Sequence, residues 1–128
     1  MTKKTLVIIG GSLNILWGIA HLIPTSSVVE GFGDISIDSK RIILMEWINE
    51  GLTLIFLGIL VILIAALSYK NLQSRRIALI STSTMLIVMT VLSLFTGFQI
   101  NFIPYKLCPV IFLISSLLIL QGAFGKTD

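Results

Sequence analysis

Charge is what this chain most lacks. Only 12% of its residues are Asp, Glu, Lys or Arg, about half the share in soluble globular domains. It has a single cysteine, Cys108, and a single histidine, His21. A lone cysteine makes no internal disulfide and no sulfur-ligated cluster; beside Pro109, it reads as a small residue at a helix end. One histidine excludes haem held by two axial histidines. No HxxxH or HExxH pair is present to anchor zinc, so His with two Glu is the weakest of the site chemistries and no metal is expected. The net charge of +3 comes without a basic cluster or aromatic–basic interleaving, which argues against nucleic acid. A nucleophile elbow, a phosphate loop and a Ser-His-Asp pattern are also missing.

What is there is hydrophobic. Apolar residues make up 55% of the 128, and the mean hydropathy is +1.03. A membrane span takes about 20 largely apolar residues, so the chain has room for four spans with short connections and for no soluble domain beside them. The reading is an all-α, four-helix integral membrane bundle forming one domain over 1–128. Its spans are expected at about 6–23, 40–69, 77–97 and 109–124. Lys3 and Lys4 before an apolar stretch are like the opening of a signal peptide. The run from Leu6 to Ile23 is long for one, though, and no A-x-A-like site follows, so it is read as retained.

Between the first two spans, 24-PTSSVVEGFGDISIDSK-40 has the composition of a surface loop, with Asp38 as the N-cap of span two. The segment 98-FQINFIPYKLC-108 reads as an aromatic-rich turn at the membrane surface, with Pro109 opening span four. Lys3, Lys4, Lys70, Arg75, Arg76 and Lys126 fall on one side of the membrane, and Lys40, Arg41 and Lys106 on the other. This bias places both termini in the cytoplasm of a multi-pass cell-membrane protein.

The polar residues that remain are patterned. Residues three and four apart share a helix face, so Glu46, Asn49, Glu50 and Thr53 form one stripe of span two. Trp47, Gly51, Leu54 and Gly58 form a second seam beside it. Span one carries a matching seam, Gly11, Asn14, Gly18 and His21, with Trp17 alongside. Small residues let membrane helices approach closely, so these two seams are expected to pack together. His21, Glu46 and Glu50 then lie at one depth near the extracytoplasmic leaflet, with Gln99, Asn101 and Tyr105 nearby. Ionisable groups within spans mostly face the bundle interior and mark sites. The hydroxyls of 81-STST-84 are expected to bond back to their own helix and are given no role.

The stretch 18-GIAHLIP-24 resembles the end of the first helix in the DoxX-like group of small four-span bacterial membrane proteins, which share this length, layout and a G-x-x-H-like ending before an extracytoplasmic loop. Some of those relatives are linked with quinone-coupled sulfur oxidation, so the resemblance implies a four-span fold and a quinone among the candidate ligands. In chemistry alone, carboxylates and a His facing Trp in a membrane cavity are similar to the emopamil-binding, sterol-isomerase type of protein.

The function expected is a polar pocket near the extracytoplasmic leaflet that binds a small lipophilic ligand: a lipid, a quinone or an isoprenoid-like molecule. Its residues are His21, Glu46 and Glu50, supported by Asn14, Trp17, Trp47 and Asn49. One alternative is a membrane enzyme or proton-coupled transporter in which Glu46, Glu50 and His21 transfer protons. Transport through so few spans would need a homo-oligomer. Another alternative is a structural or interaction subunit of a membrane complex, with the glycine seams packing on a partner.

Overall fold

The computed structural model describes residues 2–67 and 72–124. They form five helices: α1 (Lys3–Leu22), α2 (Thr25–Gly31), α3 (Ile37–Ala66), α4 (Leu72–Phe95) and α5 (Ile103–Ala123). Four of these, all but α2, are long and apolar enough to cross a membrane. Many of their residues are β-branched, which weakens helices in water. In lipid the backbone must satisfy its own hydrogen bonds, so the helix forms regardless. Leu16, Leu52, Phe56, Val88 and Leu113 are exposed on the bundle surface, where lipid rather than protein is their solvent.

The helix ends differ from the sequence expectation in ways that have local causes. Helix α1 starts at Lys3 because Thr2 caps it, its hydroxyl accepting from the Thr5 amide. The connection 24–40 is not all loop. Pro24 breaks α1, the Thr25 hydroxyl donates to the Leu22 carbonyl, and a short helix follows. Ser36, not Asp38, caps α3 by accepting from the Ser39 amide at 3.1 Å; Asp38 sits in the first turn, exposed, 4.0 Å from Arg41. Helix α5 begins at Ile103, so Pro109 lies inside it and Tyr105 to Cys108 are helical rather than part of a turn. Pro109 removes the amide that would pair with the Tyr105 carbonyl. Membrane bundles tolerate this because neighbouring groups compensate. The expected end of span two at Tyr69 lies outside the described residues.

Helix α1 is the centre of the bundle. It packs most extensively on α3 and then on α5, while α4 packs on α5 and scarcely touches α3. The α1–α3 contact is backbone against backbone. A Cβ at Gly58 would lie 2.5 Å from the Gly11 carbonyl oxygen, and one at Gly18 would lie 2.7 Å from that of Gly51. The helices run antiparallel with these two pairs in register.

On its other face, α1 meets α5 where a Cβ at Gly122 would overlap the Val7 side chain. Helices α4 and α5 are joined by reciprocal hydrogen bonds. The Ser83 hydroxyl donates to the Ser116 carbonyl at 3.3 Å, and the Ser116 hydroxyl to the Ser83 carbonyl at 3.0 Å. Of the 81–84 hydroxyls, then, Thr82 does bond back, to Ala78, but Ser83 crosses to another helix. Arg76 closes the far end by donating to the Ala123 carbonyl.

Helix α3 has 30 residues and is about 45 Å long at 1.5 Å per residue, against about 30 Å of hydrocarbon. Its first turns therefore extend past the end of α1, where α2 packs on them.

Gly58→Ala should cost about 1–3 kcal/mol, as overpacking does, since the added methyl meets backbone that cannot rotate away. Gly31→Ala, where nothing lies within 4 Å, should be neutral. Reversible unfolding of the two variants in mixed micelles checks this, and equal stabilities would contradict the close α1–α3 contact.

Candidate functional site

The glycine register sets what meets at one end of the bundle. His21, in the last turn of α1, is 4% exposed. Its ring stacks on Trp47 of α3, with centroids 3.8 Å apart and planes 18° from parallel. Glu50 is three residues after Trp47 on neighbouring helix surface, and its Oε2 lies 3.6 Å from His21 Nε2. That is within ion-pair range but too long for a hydrogen bond, and Nε2 is buried with no hydrogen-bond partner.

Helix α5 supplies the third wall. Tyr105 meets Trp47 edge to face at 5.4 Å, and Phe102 meets Tyr105 at 5.7 Å. One turn beyond Tyr105 is Cys108, 4% exposed. Its sulfur, an imidazole nitrogen of His21 and a carboxylate oxygen of Glu50 all lie within 4.8 Å of one another. The indole N–H of Trp17 reaches toward this sulfur without completing a hydrogen bond.

Because α3 and α4 scarcely touch, a cleft of about 590 Å³ opens between them. Its polar side is Glu46, Asn49, Glu50 and Thr53 of α3, with Trp47, Tyr105 and Cys108 at its inner end. Met85, Met89 and Leu92 of α4 form the apolar side. This volume falls among those of small-molecule sites, which are mostly apolar with a few convergent polar groups.

The residues singled out in the sequence are distributed unevenly. Glu50 and Trp47 line the cleft and touch His21. Glu46 and Asn49 line it as well but are exposed at its rim, so Glu46 does not share the surroundings of Glu50. His21 stands behind Trp47 and Glu50 rather than on the cleft wall. Asn14 is fully buried two turns below His21, away from the cleft, and neither of its amide atoms has a hydrogen-bond partner. Trp17 lies on the Cys108 side of the cluster. Gln99 and Asn101 are exposed and outside it.

Cys108 is the cluster member that the sequence does not single out, since a lone cysteine beside Pro109 has the look of a small residue at a helix end. With α5 starting at Ile103, Tyr105 and Cys108 fall three residues apart on its inner face. The spacing is visible in the sequence, but it counts only once the helix start is known.

No protein-family model, no curated protein and no solved structure matches the chain.

Trp47 packs against two of the site's rings, His21 and Tyr105. Trp47→Ala should destabilise the bundle by about 3 kcal/mol or more, whereas the exposed Glu46→Gln should stay within about 0.5 kcal/mol of wild type. Thermal unfolding followed by helical circular dichroism compares them, and a tolerated Trp47→Ala would mean that the His21 stack holds nothing.

Proposed function

We propose that the protein binds a small lipophilic molecule with a polar head in the cleft between α3 and α4. The observation that carries this reading is the cleft itself, with its carboxylates and amide on α3 and the methionines and Leu92 of α4 across from them. A molecule dissolved in the bilayer reaches it sideways, because α3 and α4 leave a gap between them. Its tail lies along Met85, Met89 and Leu92. Its carbonyl or hydroxyl head turns toward Glu50, Asn49 and Tyr105. Met side chains adapt to irregular ligands, which suits a quinone, an isoprenoid or a lipid.

In this reading the site belongs to the extracytoplasmic leaflet. Lys3, Lys4, Arg75 and Arg76 belong to the opposite end of the bundle, and Lys40, Arg41 and Lys106 to the site's end. That asymmetry is the positive-inside pattern for cytoplasmic termini; Lys70 and Lys126, which add to it, lie outside the described residues. The likeness of 18-GIAHLIP-24 to the DoxX-like group fits the same reading, since His21 of that stretch backs the polar end of the cleft, and it makes a quinone a natural first ligand to try.

Native mass spectrometry of protein extracted gently from its own membrane tests the proposal. Wild type is expected to carry a co-purifying lipophilic molecule. Met89→Trp, which fills the apolar wall, should abolish retention, and Glu50→Gln should reduce it. Phe56→Ala, on the outer lipid-facing surface, should leave it unchanged. Identical spectra from wild type and Met89→Trp would remove the cleft as a binding site.

A further inference from the structure

We infer that His21, Glu50 and Cys108 form a binding site for a divalent zinc-type cation, with an open coordination position on the cleft. The three donors come from three helices, α1, α3 and α5, and no local sequence pattern brings them together. Their ligand atoms already lie within 4.8 Å of one another. Around a tetrahedral zinc with bonds of about 2.0–2.3 Å, donor atoms stand roughly 3.4–3.7 Å apart. His21 and Glu50 already stand at that spacing, 3.6 Å apart. What must shorten, by about an ångström at most, are the distances to the Cys108 sulfur, which rotation of the Cys108 side chain about its Cα–Cβ bond can supply.

A second observation is independent of that spacing. His21 Nε2 is buried, has no hydrogen-bond partner and points at the Glu50 carboxylate from 3.6 Å. Its ring cannot turn to find another partner, because it is held flat against Trp47. A buried nitrogen left in this state is costly in an apolar interior, and a metal bond satisfies it.

The donor set selects the ion. Imidazole nitrogen, thiolate sulfur and carboxylate oxygen suit zinc and its cobalt substitute. Calcium and magnesium demand six or more oxygens. Charge points the same way: a thiolate and a carboxylate with a dication and a neutral imidazole sum to zero, the cheapest state for an ionic cluster inside a membrane. The Trp17 N–H, buried and without a hydrogen-bond partner, is available as an outer donor to a thiolate ligand.

Three protein ligands with a fourth position free is the pattern of zinc sites that act on a substrate, while structural sites use four. Glu50 and Cys108 both border the cleft, so the free position faces it. The metal site stands on these side chains alone and does not depend on a lipophilic ligand occupying the cleft.

The test is a cobalt titration of the purified full chain, stripped with chelator in detergent. One cobalt per chain should bind, giving the visible bands of four-coordinate cobalt and a thiolate-to-cobalt charge-transfer band. Cys108→Ser should abolish the charge-transfer band. His21→Ala and Glu50→Gln should each weaken binding roughly tenfold or more, at least as much as losing an outer-shell partner does. Glu46→Gln, one turn from Glu50, should bind as wild type does.

A second readout needs no variant. Cys108 is the chain's single thiol, so its alkylation by N-ethylmaleimide can be followed by intact mass, and saturating zinc should slow it at least tenfold. Cobalt binding without the charge-transfer band, affinity equal in wild type and Cys108→Ser, or alkylation indifferent to zinc would each overturn the site.

Discussion

The close approach of α1 and α3 is the constraint on which the rest of this structure depends. Gly11 faces Gly58 and Gly18 faces Gly51, so the two backbones pack at distances that a single methyl on either side would spoil. Lipid gives no hydrophobic reason for helices to associate, and such contact is where van der Waals packing is strongest. The consequence reaches beyond stability. With the glycine pairs in register, the last turn of α1 can only fall opposite Trp47 and Glu50. His21 is stacked and oriented by a contact whose nearest members are a turn away.

The remaining helices are placed by different devices. Helix α5 packs on the other face of α1 through Gly10 and Gly122, and α4 is held to α5 by the reciprocal Ser83–Ser116 hydrogen bonds. Among the described residues, α4 meets α3 only sparsely. The bundle is therefore an open arrangement, α3–α1–α5–α4, and the gap between its first and last members is the cleft. The polar stripe of α3 faces that gap, which is why Glu50 can be both half-buried and reachable.

Much of this was legible from residue spacing. The four apolar stretches and the two glycine seams follow from helical periodicity and from the scarcity of polar residues. Several elements were not legible, each for a definite reason. Helix α2 is too short for periodicity to register against its Ser- and Gly-rich surroundings. Pro109 looks like a helix start because proline disrupts helices in water, a weaker rule inside a membrane bundle. Ser83 looks like its neighbours in 81-STST-84, and only the position of α5 separates a hydroxyl that bonds back from one that crosses over. Glu46 and Glu50 look equivalent along α3, yet the first is exposed at the rim while the second is drawn against His21.

By itself, the sequence determined the solvent and the helices. A chain this poor in charge belongs in lipid, and there backbone hydrogen bonding leaves the helix as the form each apolar stretch must take. It also determined which face of α1 would seek which face of α3, because small residues recurring at heptad spacing permit one close packing. The tertiary structure alone decided which carboxylate meets His21 and that Cys108 joins them. Those outcomes depend on the relative rotation and depth of three helices distant in sequence. Spacing along one helix specifies a face, but the side chains that meet across helices are set only when the axes lock.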